Sequence, residues 1–138
     1  MSNAIAGPGW LLADSVIGLI AEVQDIAGPG QLSEKEDVTN QDSPSFYKEW
    51  IPTLLDGGVL TFTCNYIPGD ASQGGATGLL SFMHARALRT WTLTPPAPLA
   101  AHVIGFTGYV VKWDTKEPYS KAAKLDVEIA ISGPVTTA

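Results

Sequence analysis

Two histidines, one cysteine and a close pair of carboxylates are the residues of this chain with the chemistry for catalysis or metal binding. His84 and His102 each stand alone: neither lies at metal-ligand spacing from a cysteine or a carboxylate. His84 falls in a helical stretch, where a packed or solvated imidazole is the ordinary outcome. Cys64 is the sole cysteine, which leaves no internal disulfide and no thiolate cluster. Phe62 and Tyr66 share its parity in a strand-like run, so it reads as a buried, inert thiol. Gly74-Gly75-Ala76-Thr77-Gly78 leads into the helical stretch as a phosphate loop would, but no Gly-Lys-Ser/Thr follows, and it reads as a flexible linker. No serine sits in a Gly-x-Ser-x-Gly elbow. Asp126 and Glu128 share one strand face. Two carboxylates so placed can do acid–base work, but a solvated face is their commoner use and no other cleft residue joins them. The residues therefore assign no catalytic group, no metal site and no cofactor.

The elements that would position these groups are mostly strands. With 138 residues, 45% of them hydrophobic, the chain suits one compact domain, residues 1–138, around a single core. No apolar run approaches the roughly 18 residues that span a bilayer. No basic segment precedes an apolar stretch at the N-terminus, so a secretory signal is not expected either. A formal net charge of -6 disfavours non-specific DNA binding, which draws on counterion release by a basic surface. It does suit a surface that DNA slides past without sticking.

Residues 1–17 form an arm broken by Gly7-Pro8-Gly9 and carrying the apolar patch Trp10, Leu11 and Leu12. Such a patch needs cover, from its own domain or from a neighbouring subunit. Leu19–Gln24 reads as a first strand. Residues 31–39 alternate without a strongly apolar face and need an outside partner to fix their register. Residues 40–56 read as a long loop whose aromatics Phe46, Tyr47 and Trp50 argue for packing against something. In Val59–Tyr66 the even positions are large and apolar while Thr61, Thr63 and Asn65 make a polar, uncharged face. A helix is predicted over 77–88, capped by Thr77. Strands are predicted over 90–94, over 101–113 with bulges at Gly105 or Gly108, and over 120–132. Strands without βαβ alternation predict a mainly β fold on the α+β border, an antiparallel β-sandwich or partly closed barrel flanked by one α-helix.

A series of short segments adds a resemblance. Met1-Ser2-Asn3-Ala4-Ile5-Ala6-Gly7 is followed by Ile20-Ala21-Glu22-Val23-Gln24-Asp25-Ile26-Ala27-Gly28-Pro29-Gly30, then Asp37-Val38-Thr39, Asp42-Ser43-Pro44 and Tyr47-Lys48-Glu49-Trp50-Ile51. Leu55-Asp56-Gly57-Gly58 opens the alternating strand and Asn65-Tyr66-Ile67-Pro68-Gly69-Asp70-Ala71 closes it. In this order the series resembles the tail tube proteins of bacteriophages with long non-contractile tails, whose tube fold is shared with type VI secretion tubes. Many relatives carry a further C-terminal immunoglobulin-like domain, for which these 138 residues leave no room.

The resemblance implies a non-enzymatic virion component, made in the host cytoplasm and resident in the tail. It implies hexameric rings stacked into a tube around a lumen for DNA passage. The implied partners are other copies of itself, a tape-measure protein, tail terminator and tail-tip proteins, and DNA in transit, with no membrane. On that view Thr61, Thr63, Asn65, Asp126 and Glu128 line the lumen, the carboxylates adding charge that repels phosphate. Trp10, Leu11, Leu12, Phe46, Tyr47 and Trp50 belong to subunit or ring-stacking contacts. Two other readings stay open: a secretion-system tube subunit, and a monomeric β-sandwich module that binds a ligand such as carbohydrate.

Overall fold

The computed structural model describes residues 9–75, 77–97 and 99–138. Among them run β1 (Leu11–Asp14), β2 (Gly18–Leu19), β3 (Val23–Ala27), β4 (Leu32–Asp37), β5 (Trp50–Asp56), β6 (Val59–Asn65), α1 (Leu79–Ala85), β7 (Arg89–Thr94), β8 (Ile104–Lys116), β9 (Lys124–Ile131) and β10 (Thr136–Thr137). Eight strands form one sheet in the order β2-β1-β7-β8-β9-β6-β3, with β10 added beside β8, and β4 and β5 form a separate two-stranded sheet. All pairings are antiparallel. The fold is mainly β with one helix, as expected.

Period-two alternation sets the core. In β6, Leu60, Phe62 and Cys64 are buried, and they stand opposite Ile129, Val127 and Leu125 of β9. Trp91 of β7 stands opposite Phe106 of β8 on the same inner face. Leu79 and Phe82 of α1 complete this cluster, Phe82 meeting Trp91 edge to face at 6.1 Å. Each such side chain contributes about 1.5–3 kcal/mol by leaving water. Gly108 keeps β8 close to β9: a Cβ there would lie 2.6 Å from the Ala130 carbonyl oxygen, and its own carbonyl accepts the Trp91 indole N–H at 3.3 Å.

The sheet cannot lie flat. Its terminal strands β2 and β3 are consecutive in the chain, joined by Ile20, Ala21 and Glu22 alone. Those residues reach about 14 Å fully extended, whereas six interstrand spacings in a flat sheet would separate the ends by about 29 Å. The sheet therefore curls around its apolar face. The connector is bonded on both sides: Ile20 N–H donates to the Leu12 carbonyl, and Asn65 N–H donates to the Glu22 carbonyl. β2 and β3 do not pair with each other, so the sheet stops short of a closed barrel.

Several boundaries differ from the sequence reading. The expected strand Leu19–Gln24 is split by this connector, where Glu22 takes a positive φ of 50°. Part of the expected arm is β1, which pairs with β7; residues 1–8 lie outside the described residues. The expected loop 40–56 ends early, because residues 50–56 are strand β5. The helix is shorter than 77–88, and Gly78 rather than Thr77 is its N-cap; the Thr77 hydroxyl donates instead to the Ala71 carbonyl. The β8 bulge falls between Val110 and Lys112, beyond either glycine.

One charged pair sits inside this core. The Asp14 side chain is fully buried, takes two hydrogen bonds from Arg89 (Nε at 3.1 Å, Nη2 at 2.7 Å), and accepts the Val16 and Ile17 amides. Arg89 also stacks 4.1 Å over the Phe82 ring. Burial pushes the Asp14 carboxyl up, but the Arg89 and backbone hydrogen bonds outweigh it and hold the group below its ordinary value of 3.8. A lowered folded value means stability that is present above the unfolded value and is lost as pH falls through the folded one. Arg89→Met is expected to cost about 3 kcal/mol in urea unfolding, the low end for a broken buried pair because the guanidinium is partly exposed. The variant should also lose the acid-side decline in stability that Asp14 gives the parent chain.

Candidate functional site

The outer face of the curled sheet gathers the residues singled out as a polar lining. Register places Thr61 opposite Glu128 and Thr63 opposite Asp126, with Asn65 opposite Lys124. All five sequence candidates therefore share one face, away from the core. With them lie groups the sequence reading missed: Lys112, Asp114 and Lys116 of β8, and Asp25 at the β3 edge. Lys112 stands opposite Glu128, Asp114 opposite Asp126, and Lys116 opposite Lys124.

Asp114 and Lys116 lie beyond the strand end expected at residue 113, and the bulge explains the omission of Lys112. Before it, even residues of β8 (Phe106, Gly108, Val110) point to the core; after it, Trp113 and Thr115 point inward and the even, charged residues point out. A straight parity reading puts Lys112, Asp114 and Lys116 on the wrong face.

These additions change the electrostatics. Five carboxylates (Glu22, bonded to Asn65, with Asp25, Asp114, Asp126 and Glu128) share the face with three ammonium groups (Lys112, Lys116, Lys124), so its acidity is offset in part by lysines. Lys116 Nζ lies 2.7 Å from Asp126 Oδ2. That hydrogen bond, and then the attraction of the two charges, raises the Lys116 value above its ordinary one. Lys124 donates to Gln24 Oε1 at 2.6 Å and Asn65 Oδ1 at 2.7 Å. A shallow depression of about 410 Å³ runs along the Thr61, Thr63 and Asp126 row.

A second surface is the hairpin β4–β5. Every residue of both strands is exposed, so among the described residues neither face of this small sheet is covered. Leu32, Leu54 and Leu55 of the strands, and Phe46 and Tyr47 of the loop, are largely exposed to solvent. The loop is ordered by its own polar groups: Glu49 N–H donates to Thr39 Oγ1, and Ser43 Oγ donates to Glu49 Oε2, both at 2.9 Å. Lys35 sits 4.3 Å over the Trp50 ring, shielding one side of it. The candidates of the arm divide differently. Leu12 is 1% exposed inside its own core, and Trp10 packs half-buried against that core, so neither is a free docking group; Leu11 is exposed.

The remaining candidates are structural. Cys64 is buried, and its thiol is pushed up to about 11 by burial first and by Asp126, Asp70 and Glu22 after it. The glycine-rich stretch follows a turn pinned by Gln73. Gln73 is fully buried, takes the Ile67 N–H on Oε1, and donates Nε2 to the Ala21 and Asn65 carbonyls. Its carbonyl accepts the Trp113 indole N–H at 3.0 Å. His84 is exposed at the end of α1, and His102 Nδ1 lies 3.1 Å from the Ala138 carbonyl oxygen.

The fold so described is that of tail and injection-system tube subunits. A chain from the virion of a native gene transfer agent particle matches with TM-score 0.76 at 13% identity, over 98% of this chain and 99% of that one. A chain from the structure of the sheath/tube terminator of the PVC extracellular contractile injection system, in its extended state, matches with TM-score 0.78 at 8% identity, over 100% and 99%. The SPP1 tail tube protein matches with TM-score 0.69 at 9% identity, over 97% and 78%. No protein-family model matches the chain, and no curated protein matches it in sequence.

With its thiol value near 11, Cys64 holds only about a thousandth of its population as thiolate at pH 8. A thiol reagent at that pH should label it slowly in the native chain and quickly in urea. Equal rates would mean that the β6–β9 seam opens readily.

Proposed function

We propose that this chain is a structural subunit of a phage-type tail tube. The observation that carries the reading is the hairpin β4–β5, exposed on both faces and bearing Leu32, Leu54, Leu55, Phe46 and Tyr47. A two-stranded hairpin is marginal in water by itself and gains stability by packing on something else. A neighbouring ring of the same subunit supplies that surface, with Phe46, Tyr47 and Trp50 as anchors and Leu11 as an accessory contact. The edges of β2 and β3, which end the sheet among the described residues, favour pairing between neighbours within a ring. Sixfold rings are supported by the fold likeness to a gene transfer agent tail of C6 symmetry.

On this reading the outer face with Thr61, Thr63, Asn65, Asp126 and Glu128 lines the lumen. The subunit works without catalysis. It is made in the host cytoplasm, assembles around a tape-measure protein between terminator and tail-tip proteins, and remains in the virion tail, where DNA passes through it. A second reading, a tube subunit of an injection or secretion system, is favoured by the likeness to the PVC sheath–tube complex at TM-score 0.74. Neighbouring genes separate the two: a tape measure and portal for the first, a contractile sheath for the second.

Phe46→Ser with Tyr47→Ser should leave the circular dichroism spectrum unchanged and alter unfolding free energy by no more than about 0.5 kcal/mol, since both residues are exposed. Ring stacking, followed by solution mass and electron microscopy, should be lost. Stacks of normal length from the double variant would remove the hairpin from the interface. Asp126→Lys with Glu128→Lys should in turn lower genome delivery by assembled particles; unchanged delivery would take the outer face out of the lumen.

A further inference from the structure

On the outer face, two like-charged pairs stand directly opposite each other across β8 and β9: Asp114 with Asp126, and Lys116 with Lys124. Like charges in such positions repel. The side chains resolve this diagonally. Lys116 leaves Lys124 and reaches Asp126 at 2.7 Å, while Lys124 turns away to Asn65 Oδ1 at 2.7 Å and Gln24 Oε1 at 2.6 Å. Asp126 is therefore the carboxylate that occupies the exposed Lys116 ammonium group: the Lys116 side chain is 62% exposed, that of Asp126 19%. Lys124 already has two oxygen partners, whereas Lys112, though in register with Glu128, makes no ion pair with it, so Glu128 holds no lysine that its removal would release.

We propose that Asp126 lowers the affinity of this face for double-stranded DNA by holding Lys116, so that pairing of this lysine, beyond the face's negative charge, keeps phosphates from docking on it. The inference rests on the lumen reading of this face for its biological meaning. The chemistry itself is local. A lysine held by a carboxylate must give up that partner to bind a phosphate, so it releases fewer counterions from DNA than a free one. Thr61 and Thr63 beside it offer hydroxyls but no charge. Removing the carboxylate uncovers a ready phosphate contact in the middle of a polar row.

The test measures binding of a short fluorescent DNA duplex to the purified chain by anisotropy, over a series of salt concentrations, for the parent and four variants. Asp126→Asn should bind DNA more tightly than the parent, with the salt dependence steeper by about one phosphate contact. Glu128→Gln removes the same charge but leaves Lys116 held, and should stay near the parent. Asp126→Asn with Lys116→Gln should return to the parent level. So should the swap Lys116→Asp with Asp126→Lys, which restores the pair and guards against a folding defect in the single variant. Equal gains from Asp126→Asn and Glu128→Gln would overturn the proposal in favour of plain charge repulsion. No gain from Asp126→Asn would overturn it outright. Electron microscopy of the same preparations reads tube formation separately, so a chain that makes tubes while Asp126→Asn gains nothing loses this inference and keeps the tube reading.

Discussion

Three residues fix the shape of this molecule. Ile20, Ala21 and Glu22 tie the two ends of an eight-stranded sheet together, and the hydrogen bonds of the tie run to β1 on one side and β6 on the other. Gln73 pins the same place from inside, bonding both the connector and the end of β6. A sheet held at its ends in this way has one economical place for its apolar face, the inside of the curl. There Trp91, Phe106, Leu60, Val127 and the helix residues Leu79 and Phe82 meet. The buried Asp14–Arg89 pair fastens β1 to β7, the strands next to that tie.

The consequence is a division of surfaces. Because the core consumes one face of every long strand, the opposite face is left to polar side chains: threonines and an asparagine on β6, paired charges on β8 and β9. The same curl leaves no inner surface for β4 and β5, which stand apart as a hairpin covered on neither face among the described residues. One molecule thus presents a polar wall of mixed charge and an apolar projection. Those are complementary requirements for a subunit that lines a channel and stacks on copies of itself.

Much of this was legible in the residues. Alternation alone placed Leu60, Phe62 and Cys64 inward and Thr61, Thr63 and Asn65 outward, and put Asp126 and Glu128 on one face of the last long strand. What escaped had definite causes. The bulge after Val110 inverts parity within β8, and no glycine marks it, so alternation alone puts Lys112 on the wrong face, while Asp114 and Lys116 fall past the expected strand end. The apolar look of Trp10-Leu11-Leu12 signals burial but not where; only pairing of β1 with β7 shows that Leu12 fills its own core. β5 carries Pro52 and lacks an alternating pattern, because neither of its faces is buried, and so it reads as loop. Asp14 and Arg89 are far apart in sequence, and only the fold makes them one group.

The central claim is that the chain completes its surface with further copies of itself. Electron microscopy of the purified protein across a concentration series, with solution mass measured alongside, tests it most directly. The account predicts rings with a central channel, and stacks of such rings as concentration rises. A monomer at every concentration that remains monomeric after addition of a tail-tip complex would contradict it.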